Sequence, residues 1–262
     1  MAIKDVFGAG ETNKELIKQT GKLIKEPFHN VVNPSTKTFG DRLANIIDLI
    51  FTPVEVGKIY KDHKIDLFKN KLFEEINAIP EAKRTTPPLN IIGPAVEGAK
   101  FYIDDEELRN MFAKLIASAM SSDTNKLVHP SFVEVIKQLS PLDAVNISSF
   151  KKCKMHPMVD YVRIYDRNVQ FPLLRNIVLG LSACKDVHEI SSSITNLIRL
   201  GLLEKDLNMC IATGNEYLAD GILAQVEMQM DHTDAGKRSL IKTVDSFIHL
   251  TTYGKSFVAT CV

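Results

Sequence analysis

The chain has 262 residues, 45% of them hydrophobic, and its 32 Lys and Arg are matched by 32 Asp and Glu. That is enough apolar material for one large or two modest domains, and too much for a disordered chain. The balance holds by halves, 19 basic against 20 acidic residues up to Phe150 and 13 against 12 beyond it, so neither half is a polyanion-binding domain by charge alone.

The opening Met-Ala-Ile-Lys-Asp-Val-Phe-Gly lacks the apolar core of a secretory leader. The first hundred residues alternate helical stretches with proline breaks at Glu26-Pro27, Asn33-Pro34, Thr52-Pro53, Ile79-Pro80 and Pro87-Pro88. A residue before proline is pushed out of the helical region, so each break predicts a boundary. Residues 12–25 read as a helix opened by a Thr12/Glu15 capping box, and 39–51 as a second. A long third covers 54–79, with Ile65, Phe68, Leu72, Ile76 and Ile79 along one side, and 94–102 is a short fourth. The longest apolar run, 43–51, contains Asn45 and Asp48 and falls far short of the ~20 residues that cross a bilayer.

Leu108, Met111, Phe112, Leu115, Ile116 and Ala119 recur at helical spacing, and Phe132, Val135, Ile136 and Leu139 repeat the pattern. Asp104 with Glu107, and Ser131 with Glu134, fit capping boxes, and Ser140-Pro141 opens the next helix. After Phe150 the character changes. Residues 158–165 are β-branched and aromatic and predict a strand, 186–200 a helix with an Asp186/Glu189 capping box, and Gly201 its stop. A short strand at 202–205, a helix at 215–230, an extended 240–250 and a closing helix at 251–261 follow.

The expected architecture is therefore mainly α with a smaller α+β part. A helical domain over 1–150 is followed by an α+β domain over 151–262. The order helix, Arg-Leu-Gly-Leu-Leu-Glu, insertion, strand and Leu-Thr-Thr-Tyr-Gly-Lys-Ser-Phe-Val-Ala-Thr-Cys resembles the latter part of a winged helix.

The run from Asp104, Asp-Asp-Glu-Glu-Leu-Arg-Asn-Met-Phe-Ala-Lys-Leu-Ile-Ala-Ser-Ala-Met-Ser-Ser-Asp, with His-Pro-Ser-Phe-Val-Glu-Val-Ile-Lys-Gln-Leu-Ser-Pro-Leu-Asp-Ala ending at Ala144, resembles the core of the abortive-infection alpha family of bacterial proteins. The resemblance covers most of the chain and is strongest over about 80–144, around 196–203 and around 250–261. It implies a role in defence against bacteriophage, with no established biochemical activity. The motifs are packing and capping patterns, which identify a family better than a chemistry.

In a winged helix the segment 189–200 would enter the major groove, yet it offers one basic residue, Arg199, among Ser191, Ser192, Ser193, Thr195 and Asn196. Phosphate contacts dominate affinity, so even with Lys185, Lys205 and Lys237-Arg238 on a wing, DNA binding ranks below a packing or protein-contact role. The four cysteines, Cys153, Cys184, Cys210 and Cys261, lack the dense spacing of a disulfide scaffold and fit a reducing cytoplasm. Cys153-x-x-His156 with Cys184-x-x-x-His188 supplies a zinc-like donor set, but a cysteine in an apolar run usually packs as a small hydrophobe.

Gly254-Lys255-Ser256 resembles the end of a phosphate loop, but the required first glycine is His249, and Gly8-Ala9-Gly10 lacks a third glycine. Asp104 to Glu107 complement the positive end of a helix, and His129 with Ser131 has no third member by spacing. Lys58, Lys61, Lys64, Lys69 and Lys71 are diluted by Asp62, Asp66, Glu74 and Glu75, which favours a solvated bundle face over a membrane-surface helix. No catalytic, metal or cofactor site is predicted. The expected protein is cytoplasmic and non-enzymatic, contacts a phage or host protein, and self-associates if its Met- and Phe-bearing helices are not all buried in one chain. A winged-helix DNA-binding regulator is the alternative.

Overall fold

The computed structural model describes residues 58–164, 170–181, 186–207 and 240–262. The helices predicted at 12–25, 39–51 and 215–230 lie outside these residues. The described elements are α1 (Lys58–Asn77), α2 (Leu89–Ala99), α3 (Glu106–Ala119), α4 (Phe132–Lys137), α5 (Pro141–Ser149), β1 (Met155–Ile164), β2 (Gln170–Val178), α6 (Val187–Arg199), β3 (Leu203–Asp206), β4 (Leu240–Leu250) and α7 (Thr252–Cys261). The result is a mixed α and α+β structure, with helices first and an antiparallel sheet second.

Helix α3 is the centre of the helical part. Its Leu108, Met111, Phe112, Leu115, Ile116 and Ala119 are buried, and α1, α2, α4, α5 and α7 all pack against it. The stripe Phe68, Leu72 and Ile76 of α1 is spent on this core, so the apolar face of this lysine-bearing helix is covered by protein. On the exposed side Lys71 Nζ pairs with Glu74 at 3.3 Å and Glu75 at 3.0 Å.

Three local predictions need correction. Helix α2 begins at Leu89 rather than at Pro94, and Pro94 lies inside it. Ile91, Ile92, Ala95, Val96 and Ala99 form a buried face that outweighs the hydrogen bond a mid-helix proline cannot make. Gly93, without a Cβ, relieves the usual clash of a helical residue with a following proline. The cap of α3 is Asp105 rather than Asp104: Asp105 has the extended backbone of a cap, and its carboxylate accepts the Leu108 amide at 2.9 Å. Ser131 makes no cap at α4, because its own backbone is helical (φ −68°, ψ −12°) and its hydroxyl is directed elsewhere. The capping box that does form is at α5, where Ser140 Oγ accepts the Asp143 amide at 3.1 Å and Asp143 Oδ2 accepts the Ser140 amide at 2.8 Å.

Among the described residues the sheet has four antiparallel strands in the order β2-β1-β4-β3. Strands β1, β3 and β4 and helix α7 match the sequence expectation to within three residues at each end, whereas β2 has no counterpart in it. The reason is a bulge: Asn176 adopts φ 59°, and the β1–β2 register shifts beside it. Its amide donates to Asp160 Oδ1 at 2.9 Å. Leu174 and Ile177, three apart, thereby join Val159 and Tyr161 in a cluster on one sheet face, which breaks the two-residue alternation that marks a strand.

The opposite face, with Met158, Val178, Ile248 and Leu250, packs on Ile190, Ile194 and Leu197 of α6. These residues belong to the same hydrophobic cluster as α3, so a continuous core crosses residue 150.

Candidate functional site at the α4–α5 turn and helix α6

Helix α6 lies between α5 and β2, capped by Asp186, whose carboxylate accepts the His188 amide at 2.8 Å. Its apolar stripe Val187, Ile190, Ile194 and Leu197 is buried, and the polar residues are almost all engaged within the chain. Ser191 donates to the Arg175 carbonyl at 2.6 Å, and Thr195 Oγ1 donates to the Ser191 carbonyl at 2.7 Å while accepting Asn176 Nδ2 at 2.9 Å. Asn196 Nδ2 donates to the Gln138 carbonyl at 3.0 Å and to Asp143 Oδ2 at 2.8 Å. The Arg199 guanidinium embraces Asn196 Oδ1 at 2.7 and 3.0 Å and Gln138 Oε1 at 3.1 Å. Buried Ser193 accepts Asn146 Nδ2 at 2.9 Å.

A helix that reads DNA must present such side chains to base edges and phosphates. Here most of them tie α6 to its neighbours. Lys205, counted as a wing cation, forms an ion pair with Asp160 at 2.7 Å, with both side chains mostly covered. Lys185 and Lys237-Arg238 lie outside the described residues.

Between α6 and the α4–α5 turn runs an open groove of about 750 Å³, walled by Gln138, Ser140, Asp143, Glu189, Ser192 and Asn196 among others. Asp143 is 3% exposed and Asn146 1%, yet Asp143 Oδ1 and Asn146 Oδ1 are both without a hydrogen-bond partner. Buried acceptors are nearly always satisfied, and of these two residues Asp143 lines the groove.

A second cluster grows from His129 and Ser131. Ser131 Oγ lies 2.6 Å from His129 Nδ1 and 2.5 Å from the hydroxyl of Tyr253 on α7, 122 residues away in sequence. The Ser131 amide also donates to Nδ1 at 3.2 Å, which makes that nitrogen an acceptor and leaves Tyr253 to donate to Ser131 Oγ. In a catalytic triad the third group holds the histidine through its other nitrogen; here it occupies the serine oxygen itself. The Tyr253 ring also stacks edge-on to Phe132, with centroids 5.1 Å apart. The arrangement locks α4 to α7.

The remaining candidates do not converge. Cys153 is exposed and donates to the Met155 carbonyl, and His156 is half-buried edge-on to Phe150 with ring centroids 4.6 Å apart. Burial holds the His156 pKa below its ordinary value. Cys184 and Cys210 lie outside the described residues, within which no three His, Cys, Asp or Glu side chains gather into a metal-binding group. His249 sits 3.5 Å from Glu204 across the β3–β4 pair, and Gly254 belongs to the first turn of α7, capped by Thr251 Oγ1 at 2.8 Å. Gly8-Ala9-Gly10 is outside the described residues. No described helix is long and apolar enough to cross a membrane.

The groove was not legible in the sequence, because its walls come from segments about fifty residues apart. The only local signal was the Ser140-Pro141-Leu142-Asp143 start of α5, a capping pattern like any other.

No curated protein and no solved structure matches the chain. The profile of the abortive infection alpha family matches residues 60–261, a span that contains α3, the α4–α5 turn, α6 and α7, and the chain belongs to that family.

Proposed function

We propose that the protein takes part in phage defence by abortive infection, acting through contact with a phage or host protein at the groove between the α4–α5 turn and α6. Family membership over residues 60–261 carries the defensive role. The groove supports a contact mechanism, since it combines an opening of about 750 Å³ with a buried carboxylate, Asp143, whose Oδ1 the chain itself leaves unsatisfied. A non-enzymatic mode fits the His129–Ser131–Tyr253 geometry, in which the tyrosine occupies the serine oxygen rather than orienting the histidine. Self-association remains part of the proposal. Phe101, 77% exposed, is a large apolar side chain available for it.

The alternative of a DNA-binding regulator draws little support from α6, whose Ser191, Ser193, Thr195, Asn196 and Arg199 are hydrogen-bonded within the chain. Duplex binding that weakens steeply with salt and falls further with Arg199→Ala would restore it.

The test is a phage challenge of expressing cells at low and high multiplicity. Protection at low multiplicity with culture collapse at high multiplicity is expected. Ser192→Trp, at an exposed groove position, should abolish protection while leaving the melting temperature unchanged. Absence of protection across a broad phage panel would refute the defensive role, and full protection by folded Ser192→Trp would refute the groove as the contact.

A further inference from the structure

We propose that the groove between the α4–α5 turn and α6 is a receptor for a basic side chain, foremost an arginine guanidinium, presented by a partner protein. This inference deepens the contact reading above and rests on it for its biological setting. Its chemical basis is independent.

Asp143 is the central observation. Its carboxylate is 3% exposed and lines the groove, yet it receives only neutral donors, the Ser140 amide and Asn196 Nδ2, both on Oδ2 at 2.8 Å. Oδ1 has no partner, and no Lys, Arg or His forms an ion pair with Asp143 among the described residues. A buried carboxylate is normally matched by a cation or saturated with donors, because desolvation penalises it otherwise. One helical turn on, Asn146 Oδ1 is a second buried acceptor in the same state.

Among the described residues, the cations at the groove wall and beside it are already engaged. Lys137 pairs with Glu134 at 2.9 Å, and Arg199 spends its fork on Gln138 Oε1 and Asn196 Oδ1. Glu189 adds a carboxylate to the groove wall, and Ser192 and Ser193 add hydroxyls. The groove wall thus carries two carboxylates, Asp143 and Glu189, against one ammonium, Lys137, that is already paired with Glu134.

A guanidinium offers five N–H donors in a planar fork and stays charged when partly desolvated, which suits a carboxylate with a vacant oxygen beside a second carboxylate and serine hydroxyls. The volume, about 750 Å³, falls within the roughly 300–1,000 Å³ of ordinary ligand sites, so it exceeds what a single bound water requires. An anionic or purely apolar occupant would leave the Asp143 carboxylate without a counter-charge.

The test is an NMR titration of the isotope-labelled full-length chain with N-acetyl-arginine amide, against its uncharged isostere N-acetyl-citrulline amide. Saturable shifts are expected at the amides of Ser140, Asp143, Ser192 and Asn196 with the arginine probe and not with citrulline. Glu189→Gln, at an exposed position, should weaken binding at least threefold with no change in the thermal melt. Asp143→Asn should weaken it further but also loosens the α5 cap, so Glu189→Gln carries the test. Equal shifts with both probes, or shifts with neither, would overturn the proposal and leave a groove that holds only water. Arginine binding that needs Glu189, combined with full phage protection by Glu189→Gln cells, would uphold the ligand chemistry and refute its use in defence.

Discussion

Replacing Gly254 with alanine offers a sharp test of how α7 is held. A Cβ at this position would lie 1.9 Å from the Leu202 carbonyl oxygen, 2.8 Å from its carbon and 3.2 Å from the Leu202 Cα. Real Cβ contacts essentially never fall below 3.0 Å, so α7 or the turn after α6 must move by about 1.1 Å. Neither moves freely. The Thr251 amide donates to the Leu202 carbonyl at 3.1 Å and Thr251 Oγ1 to the Gly201 carbonyl at 2.6 Å, while Ser118 on α3 holds the Thr260 carbonyl at 2.9 Å. Phe257 and Cys261 are packed in the main core. Overpacking a core costs about 1–3 kcal/mol when side chains can adjust, and here the obstacle is backbone, so about 3 kcal/mol or more is expected. For a chain of this size that lowers the melting temperature by roughly 6–12 °C. Gly98→Ala is the control: its Cβ would meet the Phe112 ring at 3.1 and 3.2 Å and Lys137 Cδ at 3.6 Å, all side-chain atoms that can yield. Its cost should stay within about 1 kcal/mol. Thermal unfolding of both variants, followed by circular dichroism and calorimetry, is the assay. A Gly254→Ala protein melting within about 2 °C of the wild type, or a Gly98→Ala protein that is the worse of the two, would refute the reasoning.

Other consequences are equally direct. Asp105→Ala should cost about 1 kcal/mol through the lost cap of α3, whereas exposed Asp104→Ala should stay within about 0.5 kcal/mol, and urea unfolding midpoints of the two variants decide the matter. Burial keeps folded His156 neutral below the ordinary value of 6.5, so the unfolded chain takes up its proton first as pH falls and stability drops from just above pH 6.5 downward. His156→Phe keeps an aromatic ring against Phe150 and should flatten that part of the pH–stability profile; an unchanged slope would contradict the assignment. Burial pushes the Cys261 thiol up to about 12, whereas Cys153 is exposed. Alkylation at pH 8 followed by peptide mass spectrometry should label Cys153 in the native protein and Cys261 only after unfolding; early labelling of Cys261 would count against its burial.

Much of the helical part was legible because its signals are local. The stripe from Leu108 to Ala119 predicts α3 and its buried face, and Ser140-Pro141 predicts the start of α5. Where several residues could serve the same local purpose, sequence alone misassigned them. Four consecutive carboxylates from Asp104 to Glu107 hide which one caps α3, and Ser131 carries the right side chain with the wrong backbone geometry. Strand β2 carries no sustained two-residue alternation because a left-handed Asn176 reverses it midway.

The sequence by itself determined the helix-rich composition, the order of most helices and strands, most of the buried residues in α3, and the family, since hydrophobic spacing and start signals act between residues three or four apart. Only the tertiary structure decided that Tyr253 would meet Ser131 across 122 residues and that the polar face of α6 would be consumed by Gln138, Asp143 and Asn176. It also decided that an uncompensated carboxylate would stand beside an open groove. The physical reason is that hydrogen-bond satisfaction and charge compensation depend on which chain segments are brought within about 3 Å, a property of the assembled fold that no local pattern carries.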